Sequence, residues 1–168
     1  SSAASDVYKR QYWYYMVQVK SSIFYLDIYA ERSYKWDRRI NAYGAIASSS
    51  SIAAWAIWKD FSYIWAVIIA ISQVLIAIKE YFPFGKRLKI LRPFIEEMKM
   101  LYIKMEYDWY KVANGELTES EINTLLFSYK KEVTNIEGKY LNEEILLENK
   151  DYLKEADDRT DRYFETNF

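Results

Sequence analysis

Residues 40–58 and 61–78 contain no charged side chain, and only Lys59 and Asp60 separate them. At ~1.5 Å per residue, a helix of either length reaches about 27–29 Å, close to the ~30 Å hydrocarbon thickness of a bilayer. Two such stretches side by side must both be hidden from water, in protein or in lipid. The pattern predicts an all-α chain built around a two-helix transmembrane hairpin.

The flanks point the same way. Trp36, Tyr43, Trp55, Trp58, Phe61, Tyr63, Trp65, Tyr81, Phe82 and Phe84 cluster near the ends of the two stretches. Aromatic side chains with a polar tip favour the headgroup zone. Lys35, Arg38 and Arg39 precede the first stretch; Lys79, Lys86, Arg87, Lys89 and Arg92 follow the second. The positive-inside bias then places both termini in the cytoplasm and the Lys59-Asp60 turn outside, with Asp60 as N-cap of the second span. Lys86, Arg87, Lys89 and Arg92 are the candidate contacts to anionic lipid, because a basic segment beside a bilayer is drawn to acidic headgroups.

The two spans are unequal. The second holds ten strongly apolar residues, worth roughly −3 to −6 kcal/mol on an insertion scale, against Ser72 and Gln73. The first has four Ile, worth about −1 to −2 kcal/mol, and must carry Asn41 and Ser48, Ser49, Ser50 and Ser51. It needs a partner. Gly44/Ser48, Ala47/Ser51 and Ser50/Ala54 place small residues four apart, which suits close helix packing. Gly44, the four serines and Gln73 are therefore the candidate packing or pore-lining residues.

Residues 1–11, SSAASDVYKRQ, match codon for codon the translated read-one adapter of transposase-based sequencing libraries. This stretch is expected to be a sequencing artefact. It is excluded from functional reasoning, and it leaves the natural start of the chain undefined.

Composition excludes several kinds of chemistry. Without Cys or His there is no thiolate, no imidazole base and no common zinc ligand. None of the four Gly builds a phosphate-cradling loop. The carboxylate pairs Glu96-Glu97, Glu143-Glu144 and Asp157-Asp158 are sequence neighbours that point to different sides of a helix. The expectation is a protein that is not an enzyme and uses no metal or cofactor. Net charge is −1, and no basic groove interleaves with the tyrosines, so no nucleic-acid partner is expected.

Around the hairpin, helices are predicted over residues 12–39, 86–113, 120–140 and 150–165. Apolar or small residues at 12, 16, 19, 23, 26, 30 and 33 give the first a helical stripe. Leu88, Leu91, Ile95, Met98, Met105, Trp109 and Val112 do so for the second, with Leu101 or Tyr102 between. Pro93 should kink that helix near its beginning, and Asn114-Gly115 should end it. Thr118-Glu119-Ser120-Glu121 reads as a capping box for the third. Pro83 and Gly85 should break the chain after the second span. The first three helices are expected to form a cytoplasmic bundle, residues 79–168 supplying its larger part.

This layout, with Tyr34 and Arg38-Arg39 approaching the membrane and the Glu106-Tyr107-Asp108-Trp109-Tyr110 run on the returning helix, resembles the SLATT group of bacterial two-transmembrane effectors. The resemblance covers residues 12–140. It implies an inner-membrane protein that oligomerises and permeabilises the bilayer when a separate sensor or signal-producing partner detects infection. Two other readings stay open: a membrane-anchored scaffold without a pore, and a soluble helical bundle.

Overall fold

The computed structural model describes residues 2–57, 62–81, 84–141 and 148–168; the side chains of 2–5, 47–57, 62, 65, 76, 78–81 and 84 lie outside the description. All regular structure among the described residues is helical: α1 Ser2–Ile57, α2 Ser62–Tyr81, α3 Phe84–Ala113, α4 Glu119–Tyr140 and α5 Lys150–Asn167. The chain divides into two compact units. One contains Ser1–Tyr29 and Ile90–Phe168, the other Ala30–Lys89.

The first unit is a helical bundle whose core follows the predicted stripes. From α1 it buries Tyr12, Met16, Val19, Ile23 and Leu26, at the 3–4 spacing that keeps one helix face inward. Each of the first two is 0% exposed. Burial begins at Tyr12, since none of Asp6, Val7, Tyr8, Lys9, Arg10 and Gln11 is buried. From α3 come Leu91, Phe94, Ile95, Met98, Leu101, Tyr102, Met105 and Val112, and from α4 Ile122, Leu126, Tyr129, Val133 and Ile136. Both Leu101 and Tyr102 are inside, where the sequence left a choice between them.

The fourth helix of the bundle is α5, which the sequence reading left outside it. Few of its residues are fully buried, Ala156 and Thr160 among them. It docks mainly through rings: Phe164 and Phe168 pack edge-on against Trp13, with centroids 5.0 and 5.2 Å away. Its N-cap is Asn149, whose side chain accepts from the Asp151 and Tyr152 amides. The Asn149 amide donates to the Tyr25 hydroxyl on α1.

The punctuation behaves as its chemistry demands. Gly115 takes φ +73° after α3, the left-handed conformation that costs other residues most. The capping box forms: Thr118 Oγ1 accepts from the Glu121 amide at 3.4 Å, and Glu121 Oε2 accepts from the Thr118 amide at 2.7 Å. Pro93 lies inside α3 without ending it. Gly85 falls in the first turn of α3, which begins at Phe84 and not near Lys86 as expected.

In the second unit, α1 continues without interruption to Ile57. Residue 39 is not a helix end: the N-terminal helix runs directly into the first charge-free stretch, as the uninterrupted sequence suggests. No proline intervenes, and a lone Gly44 costs only about 1 kcal/mol. Helix α2 spans 20 residues. Among the described residues, no helix is long and apolar enough to cross a membrane. The apolar tally of the second span read from sequence includes Phe61, which lies outside the described residues, and Ile76 and Ile78, whose side chains do. The Lys59-Asp60 turn, the Asp60 cap and Pro83 also lie outside the described residues.

Candidate functional site

The surface of α2 is the most unusual feature of the second unit. Tyr63, Ile64, Val67, Ile69, Ile71 and Val74 are 81, 52, 42, 53, 45 and 58% exposed. At ~100° per residue these positions do not share one face, because Ile69 projects well away from the others. Ile68, Ser72 and Leu75, at i, i+4 and i+7, are the partly covered side, and the Ser72 hydroxyl is returned to the Ile68 carbonyl at 2.8 Å. Apart from that strip, the described residues of α2 are open.

Gln73 is exposed on α2, beside Ala66, Ala70 and Ala77 at helical spacing. Gly44 is exposed on α1, and a Cβ built there would meet nothing within 4 Å. The close approach that a glycine permits is thus not used at Gly44 within one chain. Ser48, Ser49, Ser50 and Ser51 belong to α1, but their side chains lie outside the description.

The basic residues separate by helix face. Lys86, Lys89 and Arg92, at steps of three along α3, are exposed, whereas Arg87 is half-buried beside Leu88 and Leu91. Three of the four predicted lipid contacts therefore share a face; Arg87 points elsewhere. A Cβ on Gly85 would lie 3.9 Å from Asp37 Oδ1, so the first turn of α3 runs beside α1 at Asp37. Arg38 and Arg39 follow immediately on α1, both exposed, with the Arg39 guanidinium 6.0 Å from the centre of the Trp36 ring. The basic approaches of both helices thus meet at one level of this unit.

The bundle holds two polar nodes that sequence reasoning missed, both within the run 106–110 of α3. At the first, the Tyr163 hydroxyl donates to Glu106. Lys20 Nζ sits over three rings: 3.7 Å from the centre of Tyr163, 4.3 Å from Tyr102 and 5.1 Å from Phe24. Loss of hydration lowers the Lys20 pKa, opposed by attraction to Glu106. The Tyr102 hydroxyl is buried with no hydrogen-bond partner. Burial, followed by the Glu106 charge, drives its pKa up. The same causes, with the hydrogen bond to Glu106 ahead of its charge, push Tyr163 up to about 12.

At the second node Asp108 accepts from Tyr129 at 2.8 Å and from Lys111 at 3.0 Å. Next to it Trp109 stacks on Tyr12 at 5.9 Å and leans on Trp13 at 5.0 Å. Glu106, Asp108 and Trp109 of the run are thereby absorbed into packing, whereas Tyr107 and Tyr110 stay exposed. An open groove of ≈ 470 Å³ between α3 and α4 borders this node, lined by Asp108, Lys111, Ser120, Glu121, Thr124 and Ser128 among others. Its polar groups satisfy one another: Thr124 and Ser128 donate to backbone carbonyls, and Glu121 is the cap residue.

Compared with known proteins, the chain matches no family model, and no curated protein or solved structure is significantly similar to it.

Proposed function

We propose that residues 40–78 are solvated by lipid and that the chain is a small inner-membrane effector, one that oligomerises and permeabilises the bilayer as the resemblance to the SLATT group implies. The observation that carries this reading is the exposure of α2. Six large apolar side chains, each 42% exposed or more, lie along one 20-residue helix. Apolar surface costs roughly 25 cal/mol per Å² in water, a penalty that acyl chains remove. The basic level formed by Arg38, Arg39, Lys86 and Lys89 then belongs at the headgroups, with the bundle on the cytoplasmic side. A separate sensor or signal-producing protein would supply the trigger.

Expression of residues 12–168 in bacteria, followed by carbonate extraction and a potential-sensitive dye, tests the proposal. The chain should stay in the pelleted membranes and, once triggered, collapse the potential. Replacing Gln73 by Leu and Ser48–Ser51 by Ala should abolish the collapse if these groups line a pore, and leave activity intact if the chain is only an anchored scaffold. A chain that is washed off by carbonate ends the membrane reading.

A second expectation concerns headgroups. Each of Lys86→Gln, Lys89→Gln and Arg92→Gln should weaken binding to vesicles containing anionic lipid by about fivefold, from ~1 kcal/mol per basic residue at such a surface. Arg87→Gln should change it less. Equal losses for all four would contradict the separation by helix face.

A further inference from the structure

Helix α3 has two apolar faces, and the bundle uses only one. Opposite the core stripe, Met100, Ile103, Tyr107 and Tyr110 are 60, 57, 68 and 68% exposed. Their spacing is 3, 4, 3, the a/d pattern by which helices pair along a seam. Isolated exposed apolar residues need no explanation, but four in register over three turns do.

We propose that this seam is the interface through which α3 pairs with α3 of a second copy. Area supports it. With aromatic side chains worth roughly 150–250 Å² each, the four residues offer about 400–600 Å² of apolar surface per copy. Doubled, that is about 800–1,200 Å², the range of a weak or transient interface up to the lower edge of a specific one. Charge supports it too. Each cation next to the seam is already neutralised within its own chain: Lys99 by Asp27 at 2.8 Å, Lys104 by Glu132 at 3.5 Å and Lys111 by Asp108 at 3.0 Å. The cations thus bring no unbalanced like charge to a second copy, and exposed Glu96, one turn before Met100 on the same face, is set apart from its counterpart when the helices run antiparallel. The composition fits as well, since Tyr and Met are enriched where proteins meet. The seam lies wholly within the bundle unit, so it does not depend on where residues 40–78 reside.

Because the chain has no cysteine, the pairing can be trapped directly. The full chain carrying Ile103→Cys should cross-link to itself under mild oxidation if the helices run parallel. If they run antiparallel, it should cross-link instead to a copy carrying Tyr107→Cys. Thr134→Cys, exposed on α4, should not cross-link. By light scattering, Ile103→Gln with Tyr107→Gln should raise the dimer dissociation constant by roughly 30-fold or more, the scale of an interface anchor, with helicity unchanged. A monomeric parent chain, or a double variant that self-associates like the parent, overturns the proposal. The second outcome does so without touching the membrane reading, which carbonate extraction decides.

Discussion

Raising the pH above 10 will unfold the four-helix bundle, and the loss will be steep. Tyr12, Tyr102 and Tyr129 are 0, 2 and 5% exposed, and burial comes first among the causes that raise each of their pKa values above the ordinary 10.0. A phenolate at Tyr129 would face Asp108, to which its hydroxyl now donates; one at Tyr102 would face Glu106. Tyr163, pushed up to about 12, behaves likewise. The sign follows from proton counting. Below pH 10 both states hold these protons; above it the unfolded chain releases them while the folded chain keeps them, so stability falls as pH rises.

Each buried tyrosine contributes up to about 1.4 kcal/mol per pH unit, so three give about 4. A domain at the low end of the usual ~5–15 kcal/mol is exhausted within about two pH units. Lys111 and Lys139, with raised pKa values from their bonds to Asp108 and Glu97, act in the same direction but are exposed. Lys20, with a lowered value, acts against the trend as one group among many. The check is to follow phenolate absorbance and helical circular dichroism together. Part of the absorbance change should coincide with the loss of helix. Tyr102→Phe should move the midpoint upward, and at neutral pH it should cost little because it deletes a buried hydroxyl that has no partner. Complete titration of all 17 tyrosines with the helical signal intact would refute the account.

The core was legible because amphipathic spacing is a local property. Tyr12, Met16, Val19, Ile23 and Leu26 could be picked out before any partner was known, and so could the α4 face and the Thr118 capping box. Contacts between distant segments were not. Helix α5 docks by Phe164, Phe168 and Tyr163, rings that on its own sequence could equally serve a wet edge. Glu106 and Asp108 read as an acidic run; only the arrival of Tyr163 and Tyr129 makes them nodes. The seam on α3 was hidden for another reason. Once one stripe accounts for a helix, Met100, Ile103, Tyr107 and Tyr110 fall among the outward residues, and Tyr is at home in either place. In residues 40–78, absence of charge was legible, but which side of α2 is covered was not. That depends on Ile68, Ser72 and Leu75 meeting a neighbour.

Tyr12→Ala should cost about 3–5 kcal/mol, the range for removing a large buried ring, while deletion of residues 1–11 should cost under about 1.5 kcal/mol. Tyr12 is 0% exposed, stacked on Trp109 and edge-on to Tyr129 at 6.2 Å, and its hydroxyl donates to the Met105 carbonyl at 3.0 Å. Its loss would leave a void where α1, α3 and α4 converge. The preceding turns contribute far less. Asp6, Val7, Arg10 and Gln11 are exposed, and Lys9 reaches the Ala113 carbonyl at 3.3 Å through an exposed bond. Such a bond is worth at most about 1–1.5 kcal/mol. Urea midpoints for the two chains, compared at an unchanged denaturant slope, separate the cases. A truncated chain as unstable as Tyr12→Ala would mean that residues 1–11 belong to the fold, against the expectation that they are adapter-encoded.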